Sequence, residues 1–395
     1  MIAPWISFII VISLILIFSK YELSLVLLVS TLLFGFLSEV DLINTLYTVI
    51  INPSMFLLAI ALSLIPILGG IIDESGIMIE LIQNMNISKK KSIMLTPAFF
   101  GLFPVAGGAL MSAPIIDKMV PNINPDRKVA INVWFRHIVI LVYPLSPALL
   151  LLSELSHIDT YIIVLTMLIP FFLLFIIGYF AFIYSINEID EKHKRDIKLV
   201  LYYIIPLIIA PIIDIVGRNC FDIKFPNLFL IIGLAVSIIV SLKIGHMKFQ
   251  NIKNISKKMK LWRFPLLIFS IFLFLEIFDN SGIKQEISNL NLPFISLILL
   301  SFLLGFVTGE LQVPISILIP IYLIQNSLVI MPLVDCIFIY SAIFLGYLMT
   351  PLHPCVSYSN DFFKAKFSKV FKLLIVPILS SFILLVSLYY LLEMF

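Results

Sequence analysis

Polar residues that could do chemistry are few in this chain, and they cluster where the backbone is expected to break. Arg136 and His137 lie in NVWFRHIVILVYPLSP, eight residues into an apolar stretch. At 1.5 Å per residue that puts the arginine roughly 12 Å deep. A centrally placed Arg costs at least about 2.5–3.5 kcal/mol in a membrane helix. It is therefore expected to face a cavity or a partner, and its forked donors suit an anion. Gly107 and Gly108, in PVAGGALMSAP, would let backbone N–H groups approach a ligand closely. A helix restarting after them would aim its positive end at that ligand. Ser112 in the same segment, Ser146 in PLSP and His353 in PLHP add neutral donors. Glu310, in FVTGELQVPIS, could hold Na⁺ or carry a proton, together with Thr308 and Gln312. Against these stand structural readings: small residues that let helices pack, or Arg136 paired with Glu310.

The elements that must position these groups are membrane helices. Hydrophobic residues make up 61% of 395 and charged residues 12%, against about 25% charged in a soluble domain. The composition predicts an all-α integral membrane fold, and the net charge of +3 suggests no nucleic-acid partner. Stretches long enough to cross a bilayer are 2–18, 21–38, 52–72, 128–153, 158–185, 197–216, 227–243, 263–279, 328–350 and 370–393. The first lacks the basic start and cleavage site of a signal peptide and is expected to be a retained helix. Two more stretches, 92–116 and 292–324, are broken by Gly and Pro. If both are re-entrant hairpins, the basic clusters at 89–91, 192–198, 243–263 and 364–372 share one face, leaving Arg218, Lys224 and Lys284 on the other. The positive-inside rule prefers that arrangement, with about ten spans, both termini outside and the basic face cytoplasmic. It opens the first hairpin to the cytoplasm and the second to the exterior. Residues 75–88 are expected to form an interfacial amphipathic helix, and 248–263 a solvated basic linker.

An internal repeat runs through the chain. IIDESGI at 71–77 recurs as IFDNSGI at 277–283, PLSP at 144–147 as PLHP at 351–354, and Gly101 of FFGLF matches Gly305 of LLGFV. The order is kept at a nearly constant offset. Two copies, 1–190 and 191–395, each with an odd number of spans, would be inverted relative to one another. Sites in such proteins lie near the midplane on discontinuous helices. The three cysteines, Cys220, Cys336 and Cys355, have no metal-ligand spacing and are expected to be apolar filler. The histidines are too scattered for a zinc site, no metal or cofactor is expected apart from Na⁺ as a coupling ion, and no HExxH, GxSxG or Walker motif points to an enzyme.

WFRHIVILVYPLSP and MTPLHPCVSYSNDFFKAKFSKVFK resemble motifs of the prokaryotic membrane proteins labelled domain of unknown function 401, within the ion-transporter superfamily. The resemblance covers most of the chain. It implies inverted repeats with two re-entrant hairpins, a homodimer, elevator-like motion and transport. It carries no substrate, because the tips read GGALMSAP and TGELQVP where that superfamily has Ser-Asn-Thr. The expectation is a multi-pass permease of a prokaryotic plasma membrane. It would move a small organic anion, a carboxylate first, by Na⁺ or H⁺ coupling. A cation–proton antiporter is the rival, and an intramembrane enzyme the remote third.

Overall fold

The computed structural model describes residues 4–19, 21–103, 108–186, 196–290 and 292–393. Among them every regular element is helical, and the second ten α-helices repeat the order of the first ten. The first series is α1 (Pro4–Phe18), α2 (Leu23–Leu37), α3 (Leu42–Ile50), α4 (Pro53–Glu74), α5 (Ile77–Met85), α6 (Lys89–Gly101), α7 (Gly108–Met119), α8 (Pro125–Ile138), α9 (Pro147–Ser156) and α10 (Thr160–Gly178). The second is α11 (Ile197–Cys220), α12 (Asn227–Ile244), α13 (Phe249–Lys258), α14 (Arg263–Asn280), α15 (Ile283–Ser288), α16 (Phe294–Thr308), α17 (Gln312–Gln325), α18 (Leu333–Met349), α19 (Pro354–Phe363) and α20 (Phe367–Glu393).

Local chemistry explains why the series match. In IIDESGI and IFDNSGI the glycine takes a left-handed conformation, φ 76° at Gly76 and 77° at Gly282. That backbone is cheap only for Gly. Each glycine turns the chain out of a long helix, α4 or α14, into a short one, α5 or α15. Both broken segments become helix–break–helix pairs whose members pack on each other, α6 with α7 and α16 with α17. Each member has only 12–15 residues, short of the ~20 a crossing needs. That is the arrangement expected of re-entrant hairpins. Among the described residues six helices are long and apolar enough to cross, or seven if the bent α13–α14 pair is one span. This is a multi-pass membrane fold.

Two expectations need correction, and one helix is added. The span placed at 328–350 runs as Leu333–Phe363, a helix broken at 350–353 and resumed as α19. It thus matches the broken α8–α9 pair. Hydropathy hid α19 (PCVSYSNDFF) because its buried face includes Ser359. The basic stretch 248–263 is no linker. Residues 249–258 form α13, whose Ile255 is fully buried and sits over Gly70 of α4. The helix α3, capped by Asp41 accepting from the N–H groups of Ile43 and Asn44, was too short for a span count to find.

The chain divides into two compact units. One holds α1–α3, the start of α4 and α14–α18, with residues 150–163; the other holds the rest of α4, α5–α8, α10–α13 beyond residue 163, α19 and α20. Each unit therefore takes its first three helices from one series and its fourth through eighth from the other.

In a protein freed of native cysteines, Lys257→Cys and Lys284→Cys, on either side of α14 in sequence, should react with an impermeant maleimide from opposite membrane faces. Reaction of both from one face would contradict a spanning α14.

Candidate functional site

The second unit gathers the sequence's polar candidates around α8. Helix α8 is buried almost throughout, and a 3.6-residue turn aims successive WFRH residues at different neighbours. Trp134 donates its indole N–H to the Leu174 carbonyl of α10 at 3.0 Å. Phe135 lines an apolar groove with Phe171 and Phe175. Arg136 turns to the hairpin and His137 to α19.

A polar stripe fixes that orientation. Lys128, Asn132 and Arg136 recur every four residues, on one face, and all three meet α7. Lys128 donates to the Asp117 carboxylate at 2.6 Å and to the Pro121 carbonyl at 3.1 Å. Asn132 accepts from the Ser112 hydroxyl at 2.6 Å and donates to the Ala109 carbonyl at 3.0 Å and the Ser359 hydroxyl at 2.9 Å. Arg136 lies against Gly108, where a Cβ would stand 2.6 Å from Nη2 and 2.9 Å from Nη1. Ser112 is thus committed to holding α7 on α8. Sequence reasoning passed over Asn132 and Lys128, although the four-residue spacing was visible.

Arg136 is 4% exposed and its Nη1 has no hydrogen-bond partner. Among the described residues no carboxylate lies within 4 Å of it. Ser146 Oγ, in the break after α8, is also buried and unpartnered, as is Thr96 Oγ1 of α6. A buried donor left unmade costs on the order of 1–3 kcal/mol, more when charged. Arg136 stands in the last turn of α8, whose dipole favours a cation. Its guanidinium meets the first residue of α7, whose dipole presents positive charge. The two together make a cradle for an anion. Gly107 and the rest of 104–107 lie outside the described residues.

His137 and His353 meet edge to face, with centroids 4.4 Å apart. Their nitrogens and Cys355 Sγ lie within 4.8 Å of one another. This corrects two expectations: the histidines are not all scattered, and Cys355 is not filler. Hydrogen bonding sets the ring protons. His137 Nδ1 meets the Val133 carbonyl, an acceptor only, so it carries the proton. His353 Nδ1 accepts from the Cys355 N–H at 3.1 Å, capping α19, so its proton sits on Nε2. Cys355 Sγ lies beside the His137 ring and interacts electrostatically with it and with Arg136. For His353 to ligate a metal it must give up either the cap or the Nε2 proton, beside a guanidinium. The donor set fits an anion better than a metal cation.

The other unit holds the coupling candidates on the second hairpin. Gly309, φ 65°, ends α16. Thr308 donates to the Leu304 carbonyl at 2.7 Å and accepts from the Glu310 N–H at 3.3 Å, so its hydroxyl is engaged in building the tip. Glu310 is half-buried and Gln312 opens α17. The packing repeats across the two hairpins: a Cβ on Gly101 would strike the Arg136 carbonyl, and one on Gly305 the Ile343 carbonyl. The polarity does not repeat. Ile343 and Ile339 stand where α8 has Arg136 and Asn132.

Two glycine substitutions test this geometry. Gly101→Ala would press on the Arg136 backbone, with its carbonyl carbon at 2.8 Å, and should lower stability by about 1–3 kcal/mol, the cost of overpacking. Gly108→Ala would meet only the end of a flexible side chain and should melt nearer the wild type. Equal melting temperatures for the two variants in detergent would contradict the placement.

The chain matches, over residues 3–392, the family model described as "Protein of unknown function (DUF401)", and it belongs to that family. No curated protein matches it in sequence. Its fold is similar to that of solved membrane transporters. The Alcanivorax borkumensis YdaH transporter aligns with TM-score 0.61 and 14% identity, over 87% of each chain. Neisseria gonorrhoeae MtrF, described with a class of antimetabolite efflux pumps, aligns with TM-score 0.61 and 13% identity, over 88% of this chain and 83% of its own.

Proposed function

For this member of the DUF401 family, with a fold shared by solved transporters, we propose a secondary active transporter of a small organic anion, a carboxylate first. The observation that carries the reading is Arg136, buried with an unpartnered Nη1 against the start of α7. Its cost is hard to explain as structure alone, since among the described residues no carboxylate makes a direct ion pair with it. A bound carboxylate would satisfy that donor and take charge stabilisation from the α7 dipole. His353, with its Nε2 proton, supplies a second neutral donor. Ser112 drops to a supporting role because its hydroxyl already serves Asn132.

Coupling is to Na⁺ or H⁺, with Glu310, Gln312 and the carbonyls of the second hairpin as the sequence's candidates for the ion. The reading places the protein in a prokaryotic plasma membrane as a homodimer. The basic segments, α13 among them, face the cytoplasm and both termini the exterior.

Thermal unfolding in detergent with succinate, lactate and citrate tests the anion site, because a ligand of the folded state raises its apparent stability. At least one carboxylate should stabilise the wild type. Arg136→Lys keeps the charge but loses the planar two-point contact, so stabilisation should weaken. Arg136→Gln should abolish it. Full stabilisation of a folded Arg136→Gln protein would overturn the assignment.

A further inference from the structure

The pocket beside Gly108 has a second ionisable wall. Asp73, in the last turn of α4, lines it together with Gly108, Phe100, Phe103 and Met78. Arg136, from α8, is close enough to act electrostatically on the Asp73 carboxylate, as are Lys258 from α13 and the neighbouring Glu74. Lys258 acts the most strongly of the three, but it is half exposed and pairs with Glu74 at 3.0 Å, which opposes it. The lining from α5, α6 and α7 is uncharged. Arg136 is the buried cation of this pocket, against Gly108 of its wall, and it does not make a direct ion pair with Asp73.

Resting on the reading of Arg136 as the anion ligand, we propose that Asp73 is the coupling-proton carrier, acting as an internal counter-ion that the substrate anion displaces. Without substrate, the Asp73 carboxylate and the Arg136 guanidinium balance across the pocket. When a carboxylate binds Arg136, two anions would face one cation across a largely apolar pocket, which is unfavourable. Asp73 relieves it by taking one proton from water onto a carboxyl oxygen. The pocket is then neutral again, now holding a substrate anion, a guanidinium and a carboxylic acid. One proton travels with one anion, and neither the empty nor the loaded site carries net charge through the bilayer. Phe100, Phe103 and Met78 line the pocket with apolar surface, which leaves less water between the two carboxylates than bulk solvent would supply.

Two measurements on the full-length protein in detergent decide the matter. The first is calorimetric titration with acetate and with lactate, in two buffers of different ionisation enthalpy, which counts protons taken up on binding. The wild type should take up one proton per anion. Its affinity should fall about tenfold per pH unit above the Asp73 titration. Asp73→Asn, close to isosteric and permanently neutral, should bind as tightly as the protonated wild type, with no proton uptake and no such pH dependence. Persistence of both in Asp73→Asn would overturn the proposal. The second is a ligand-free double-mutant cycle in melting temperature, with Asp73→Asn and Arg136→Gln, or Arg136→Lys if the glutamine variant fails to fold. Non-additive shifts support the counter-ion pair, and additive shifts overturn it. If neither probe binds the wild type, the anion reading of Arg136 is what fails, and the cycle alone decides the Asp73–Arg136 relation.

Discussion

The second unit is organised by the need to keep one polar stripe away from lipid. Lys128, Asn132 and Arg136 share a face of α8, and an arginine near the end of such a helix costs several kcal/mol where it meets hydrocarbon. The first hairpin covers that face. Helix α7 answers the stripe in order, with Asp117 at the rim, Ala109 and Ser112 in the middle and Gly108 at the deep end. Close approach requires small residues. Gly101 lets α6 touch the Arg136 backbone, and Gly108 makes room for the guanidinium. The arginine that is expensive to bury thus dictates where the hairpin sits, and the hairpin gives it a helix end and a pocket instead of a direct ion pair.

The backbone is duplicated without its chemistry, so the anion site proposed at Arg136 has no counterpart on α18. Gly305 against the Ile343 carbonyl reproduces Gly101 against Arg136, so the second hairpin packs by the same rule. Its stripe is Asp335, Ile339 and Ile343, with Asp335 bonded by the Tyr322 hydroxyl. Apolar residues suffice there because no buried charge needs an answer. The second hairpin instead carries Glu310 at a tip built by the Thr308 hydroxyl and by left-handed Gly309. The two copies share the helical frame and differ in the polar residues placed on it.

Much of this frame was legible in the sequence because it rests on local rules. Gly76 and Gly282 marked equivalent turns, Gly101 and Gly305 equivalent close contacts, and PLSP and PLHP equivalent helix breaks. Arg136 announced itself by its depth. What escaped notice depended on burial inside protein. Helix α19 is too polar to pass as a span, yet Val356, Ser359 and Phe363 are buried, so hydropathy measured the wrong solvent. The meeting of His137 with His353 and Cys355 joins residues more than two hundred positions apart, beyond any spacing rule. Asp73 stood in the sequence only as one letter of the IIDESGI repeat, because only the folded chain brings the first hairpin around it. Asn132 was detectable, since it stands four residues from both Lys128 and Arg136, but a lone amide in an apolar run drew no notice beside an arginine.

The claim that an anion moves through the Arg136 site is tested most directly by uptake of radiolabelled carboxylates into proteoliposomes carrying the purified protein. With an imposed inward proton or sodium gradient, the wild type should accumulate at least one small carboxylate above its equilibrium level, and Arg136→Gln vesicles with equal protein incorporation should not. Accumulation at the wild-type rate by Arg136→Gln, or gradient-driven uptake confined to cations in both, would contradict the account.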